Sequence, residues 1–252
     1  MFRAALAVVL VLLVGPQAIV AQDGEALLRQ LNAAHRGSWW TTLTFVQRTT
    51  WPGTNRPEET WYETMHRPGT LRIDIERRDS LVGGMLFRND SLWQWGAGGA
   101  PQGQPRPLVH PLMVLLHDIH VGPIDASIAK LKGLGFDLGK RSTATWQGGP
   151  VGVVGATAGD TTAAQFWVDP AQMVVVRIIQ TAGNGARSDI HIGKFSEGGP
   201  GLVEREITFH NNGRLGMVEE YTWIRTGVTM NTAWFTPGNT ALPGWVAEYK
   251  RR

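Results

Sequence analysis

From Trp39 onward, apolar and polar positions alternate with the period of two that half-buried strands require. Residues 39–51 place Trp39, Leu43, Phe45 and Trp51 on one parity and Thr42, Thr44, Arg48 and Thr50 on the other. A turn at Pro52-Gly53-Thr54-Asn55 leads to a second predicted strand over residues 59–67, and Pro68-Gly69 to a third. The third alternates most cleanly, with Leu71, Ile73 and Ile75 against Arg72, Asp74 and Glu76. Residues 81–88 and 91–95 form a predicted hairpin across Asn89-Asp90. Seven further strands are expected over 143–147, 151–156, 164–169, 173–180, 188–195, 202–210 and 217–225, the last two joined at Asn211-Asn212-Gly213. About eleven or twelve strands at this spacing suit a barrel or strongly curved antiparallel sheet, apolar on one face and wet on the other. No linker or repeat divides the chain.

Two stretches switch to the helical period. Leu27, Leu31 and Ala34 recur at i, i+4 and i+7, with Asp23 placed to cap the helix and Gly37 just past its end. Pro111 suits a first helical turn, and Leu112, Leu115, Leu116 and Ile119 fall at i, i+3, i+4 and i+7 before Gly122-Pro123 stops the run. Asp125 is the expected cap of a second short helix ending at Lys132. In a chain otherwise made of strands, these helices are expected to cover a face of the sheet. The fold class is therefore mainly β, with helices lidding an apolar face.

Composition narrows the chemistry. The 252 residues contain no Cys, which excludes disulfides, thiolate catalysis, Cys-ligated zinc and a lipid-acceptor thiol. Residues 1–21 have the form of a secretory signal: Arg3, an apolar run from Ala4 to Val14, Gly15-Pro16, then small residues at Ala18 and Ala21. The run is shorter than the roughly 20 residues that span a bilayer. The expected product is a single exported, soluble domain over residues 22–252. A net charge of +3 with scattered Lys and Arg provides no basic stripe, so nucleic acid is not an expected partner. Eleven Trp against eight Phe and three Tyr is unusual, and suits either core packing or the lining of a ligand cavity.

Catalytic motifs are missing: the chain has no nucleophile elbow, phosphate loop or His-Glu-x-x-His zinc site. His110, His117 and His120 read as the solvated face of an amphipathic lid rather than as metal ligands. Glu58-Glu59 and Glu219-Glu220 are strand neighbours pointing to opposite faces, and read as solvated residues. Neither a cofactor nor an enzymatic activity is expected.

Six motifs in order resemble the bacterial LolA/LolB-type lipoprotein-carrier superfamily. They are Leu43-Thr44-Phe45-Val46-Gln47, Arg67-Pro68-Gly69-Thr70-Leu71-Arg72-Ile73, Asn89-Asp90-Ser91-Leu92-Trp93-Gln94-Trp95, Pro111-Leu112-Met113-Val114-Leu115-Leu116, Phe166-Trp167-Val168-Asp169-Pro170, and Asn231-Thr232-Ala233-Trp234-Phe235-Thr236-Pro237. The resemblance implies an unclosed antiparallel β-barrel whose helices lid a cavity for acyl chains. It implies a periplasmic, monomeric carrier of lipoprotein or lipid acyl chains, working between an inner-membrane donor complex and an outer-membrane acceptor. The same fold serves as a lipid-sensing regulatory module, which is the alternative. Expected lining residues are Leu43, Phe45, Leu71, Ile73, Leu86, Trp93, Trp95, Leu112, Leu115, Leu116, Phe166, Val174, Val176 and Ile190. Arg67 matches the family arginine that ties lid to barrel, and Arg67→Leu is expected to alter closure more than folding. Leu71 stands where the family has an aromatic residue, and the lack of Cys sets the chain apart from the lipid-anchored branch.

Overall fold

A computed structural model describes residues 23–197 and 199–252. The predicted signal segment, residues 1–21, lies outside the described residues. Thirteen strands form one antiparallel sheet. Its first half runs outward from β1 (Thr42–Thr50) through β2 (Glu59–His66), β3 (Thr70–Arg77), β4 (Ser80–Arg88) and β5 (Ser91–Gly96) to the two-residue β6 (Arg106–Pro107). The second half comprises β7 (Arg141–Trp146), β8 (Gly149–Val154), β9 (Gln165–Asp169), β10 (Val174–Thr181) and β11 (Arg187–Gly193). A separate pair follows, β12 (Ser196–Glu197) with β13 (Leu202–Val203), and then β14 (Glu206–Asn211). The long last strand, β15 (Arg214–Thr226), inserts between β1 and β14 and joins the two halves. The edge strands β6 and β7 do not pair with each other, so the curved sheet stays unclosed.

Turn chemistry sets the hairpins. Asn89 and Asp90 both have positive φ, as do Asn212 and Gly213, the backbone that lets a short turn follow the twist of its flanking strands. The predicted strand over 202–210 is interrupted: Leu202–Val203 pairs with β12, and only Glu206–Asn211 joins the main sheet.

Helix α1 (Gly24–His35) starts where Asp23 Oδ1 accepts the Ala26 N–H at 2.8 Å, the expected cap. It buries Leu27, Leu28 and Leu31, while Ala34 is exposed. Gly24 has no room for a side chain, because a Cβ there would stand 2.2 Å from Val154 Cγ1. Residues 111–121 are helical, but Met113–Asp118 is wound as a π-helix before α2 (Ile119–Val121). After it, α3 (Ile124–Gly133) packs Ile128 and Leu131 inward. Asp125 does not cap α3: the cap position is Pro123, and Asp125 is exposed and paired with Arg29 at 2.7 Å. A last helix, α4 (Gly244–Lys250), lies on the opposite side of the sheet.

Two clusters follow from this layering. The large core joins α1, the 111–121 segment and α3 to the concave face of the sheet. A small second cluster, Val46, Tyr62, Trp245 and Val246, lies on the convex face. That face was expected to be wet, and on β2 and β3 it is covered. Arg72 is fully buried there and forms a bidentate pair with Asp74, both contacts 2.8 Å. Its remaining N–H groups donate to the carbonyls of Trp234 (3.0 Å), Asn239 (3.1 Å) and Ala241 (2.8 Å). The strand alternates as predicted, but its polar parity meets the C-terminal segment instead of water.

Candidate functional site

Cross-strand register decides which side chains meet beneath the lid, because partners in a ladder share a face. Phe45 lies opposite Glu63, which lies opposite Ile73, which lies opposite Met85. On the other side of β1, Gln47 pairs with Tyr221 and Thr49 with Glu219. All of these except Thr49, together with the 111–121 segment, line a partly open cavity of about 220 Å³. Its apolar walls include Phe45, Met65, Leu71, Ile73 and Phe87 from the strands, Ile207, Phe209 and Met217 from beyond β1, and Leu112, Met113 and Leu116 from the lid. A larger hollow of about 440 Å³ lies at the surface around Trp146, Gln147, Ala171, Gln172 and Lys194, and the lid contributes nothing to it.

The expected site residues therefore divide into groups. Phe45, Leu71, Ile73, Leu112 and Leu116 line the cavity. Leu43, Leu115, Phe166, Val174 and Ile190 are buried in the surrounding core without lining it, and Val176 borders the surface hollow. Leu86, Trp93 and Trp95 lie elsewhere. Leu86 pairs with Arg72 and with Trp93, and Trp95 stacks 5.3 Å from the Arg72 guanidinium, which puts all three on the convex face. Strand parity places them there: they alternate with Phe87 and Leu92, which point inward.

The Trp excess is mostly packing. Trp61 lines the cavity and donates its N–H to Glu59 at 2.9 Å, whereas Trp40 donates to the Leu202 carbonyl at 3.0 Å and Trp39 stacks on His120 at 3.9 Å. Trp223 and Trp245 stack on the convex face.

Polar ties hold the lid to the rim. Arg67, at the end of β2, donates Nη1 to the His117 carbonyl at 2.6 Å and Nη2 to the Trp40 carbonyl, and stacks on the Trp40 ring. Asp118 accepts the Gly69 N–H at 2.9 Å, and Asn32 Nδ2 donates to the Ile119 carbonyl at 2.6 Å. Arg67 is buried, and desolvation lowers its pKa to about 9, which leaves it charged at neutral pH. Replacing it with Leu would leave the Trp40 and His117 carbonyls without their donor. These two bonds place Arg67 to contribute stability as well as lid contact, so Arg67→Leu is expected to lower the melting temperature as well as loosen the lid.

The histidines are not a solvated face. His117 and His120 are buried, and Met113 to His120 is buried on every side. The π-winding changes the angle between successive side chains, and α1, the Arg67 rim and Trp39 cover what an amphipathic α-helix would leave wet. Burial, above all, holds His117 and His120 well below the usual imidazole pKa, and His110 at about 4. Among the described residues no group of His, Asp and Glu has metal-binding geometry.

The carboxylates also depart from expectation. Glu59 is buried and bonded to Arg77 and Trp61. Glu219 points into the cavity, with Glu63 beside it on the lining and Glu204 buried nearby. Desolvation raises all three. Glu219 reaches about 8 despite the Gln47 amide, with Glu204 adding repulsion. Glu204 reaches about 7, held back by its own backbone N–H and by Arg67. Glu63 rises well above the carboxylate range, with Glu219 and Glu204 adding to the burial. Glu204 Oε1 lies 3.4 Å from His117 Nε2. The parity of Met217, Glu219 and Tyr221 was legible, but a strand face carrying a carboxylate reads as wet until the partner strands are known.

No family model matches the chain, and no curated protein matches it. Solved structures do match its fold. A domain from Vibrio parahaemolyticus named for outer membrane lipoprotein sorting superposes with a TM-score of 0.55 at 10% identity, covering 85% of this chain and 96% of that one. A LolA superfamily protein from Nitrosomonas europaea superposes with a TM-score of 0.53 at 12% identity, covering 85% and 97%. The chain has the fold of these LolA-superfamily structures, an unclosed curved antiparallel sheet with helices on its concave face.

Proposed function

We propose that this protein is an exported carrier in the periplasm that holds an acyl chain of a lipoprotein or lipid non-covalently beneath its lid and passes it on toward the outer membrane. One observation carries the reading: a largely apolar cavity lies between the concave face and a helical segment tied to the rim by a few hydrogen bonds. The fold likeness to a lipoprotein-sorting domain supports it. Each methylene moved from water into such a cavity contributes about 0.8 kcal/mol.

Binding of this kind needs no proton transfer and no cofactor. Arg67 is the proposed latch, since its two carbonyl acceptors belong to the lid and to the segment before β1. Native mass spectrometry of protein recovered from a bacterial periplasm is expected to show retained acyl species. Ile73→Trp, which fills the cavity, is expected to reduce their occupancy at least tenfold while the circular dichroism stays that of the parent. Arg67→Lys keeps the charge but loses the fork, and is expected to release the cargo about tenfold faster. Wild-type protein that is consistently empty and takes up no aliphatic probe contradicts the reading.

A further inference from the structure

The cavity is not apolar throughout, and its ionisable side chains are carboxyls, imidazoles and one phenol. Glu63, Glu219, His110 and His117 line it together with Gln47 and Tyr221, and no Lys or Arg does. His117 is 5% exposed and leaves its Nδ1 without a hydrogen-bond partner, and His110 Nδ1 is likewise unpartnered. Among the described residues, neither Glu63 nor Glu219 forms an ion pair with a basic side chain. Arg67, whose charge acts on Glu204 and His117, spends its Nη donors on the Trp40 and His117 carbonyls. A purely aliphatic guest would pair with none of these groups and leave the two imidazole Nδ1 atoms desolvated and unmatched, whereas a guest with several N–H donors and a positive charge would be matched by them.

We propose that the cavity recognises an aliphatic primary ammonium, its cationic head at Glu63 and Glu219 and its chain along Phe45, Ile73 and Leu116. This rests on the reading that the cavity takes aliphatic chains and adds the class of headgroup. With no basic side chain on the lining to receive a phosphate, the ammonium is one without a neighbouring phosphate. Burial and mutual repulsion keep protons on the carboxyls of the empty cavity. An arriving ammonium stabilises a carboxylate, so binding releases a proton and tightens as pH rises.

Isothermal titration of the intact protein with octylamine, octanol, octanoic acid and dihexanoyl phosphatidylethanolamine tests this. Octylamine is expected to bind at least tenfold more tightly than each of the others at pH 7.5. Its affinity is expected to rise at least fivefold from pH 6 to pH 8.5, with Glu63, Glu219 and Glu204 the titrating carboxyls, His110, His117 and Tyr221 facing them, and Arg67 beside Glu204. Glu63→Gln combined with Glu219→Gln is expected to abolish the amine preference and its pH dependence while octanol still binds. Equal affinity for octylamine and octanol, or preference for octanoic acid, overturns the headgroup inference and leaves the cavity reading standing. Equal binding of the phospholipid overturns the exclusion of phosphate. Failure of all four to bind overturns both readings.

Discussion

Replacing Arg72 with Ala is expected to lower the unfolding free energy by about 3–5 kcal/mol, the usual cost of removing one partner from a buried ion pair. Arg72 is fully buried, forks onto Asp74, and holds the carbonyls of Trp234, Asn239 and Ala241. Truncation strands a buried carboxylate and leaves three carbonyls short of a donor. At about 2–4 °C per kcal/mol for a domain of this size, the melting temperature is expected to drop by roughly 6–20 °C. The double variant Arg72→Met with Asp74→Leu is expected to be less destabilised than Arg72→Ala alone, because no unpaired charge remains. Urea titration gives both values, and a loss below about 1 kcal/mol for Arg72→Ala would show that the C-terminal segment is not anchored through this residue.

Stability is expected to be roughly level between pH 5 and 6.5 and to fall as the pH rises from 6.5 to 8.5. The sign follows from which state holds more protons. Glu63, Glu204 and Glu219 have folded-state pKa values raised above the unfolded value of 4.5, so folding retains protons that the unfolded chain gives up. Their contribution is complete below the unfolded value and disappears through the folded values, about 7 for Glu204 and about 8 for Glu219. His110, His117 and His120 act oppositely: their lowered values make stability fall as acid protonates the unfolded chain below 6.5. The two sets offset one another below pH 6.5, and above it the carboxyls act alone. Each contributes up to about 1.4 kcal/mol per pH unit while it holds its proton. Glu219→Gln, which mimics the protonated acid, is expected to flatten the decline measurably in urea titrations at pH 6.5, 7.5 and 8.5. Stability that instead rises across this range would show that these carboxyls are ionised in the folded protein.

Alternation and turn residues made most strands legible. Leu71, Ile73 and Ile75 identified the third strand, and Asn89-Asp90 and Asn212-Gly213 its neighbouring class of hairpin turns. The unclosed curved sheet with helices on its concave face was likewise readable from the order of motifs. What stayed hidden depends on contacts distant in sequence. Arg72 reads as a wet residue because the carbonyls that bury it come from residues 234–241. Leu86, Trp93 and Trp95 are apolar residues of a hairpin whose inward parity, Phe87 and Leu92, is equally apolar, so alternation could not assign the face. His117 and His120 were misplaced because a 3.6-residue period was applied to a stretch wound as a π-helix. Glu63 and Glu219 belong to the cavity only through strand pairing with β1, which no local pattern encodes.

On this reading an aliphatic chain lies between the concave face and the lid. Photo-cross-linking with a diazirine at the end of an octyl chain, followed by peptide mass spectrometry, tests it most directly. Adducts are expected on peptides containing Phe45, Ile73 and Leu116, competed away by excess octylamine and lost in Ile73→Trp. Adducts confined to the surface hollow around Trp146, or to the exposed Leu81 and Leu215, would contradict it.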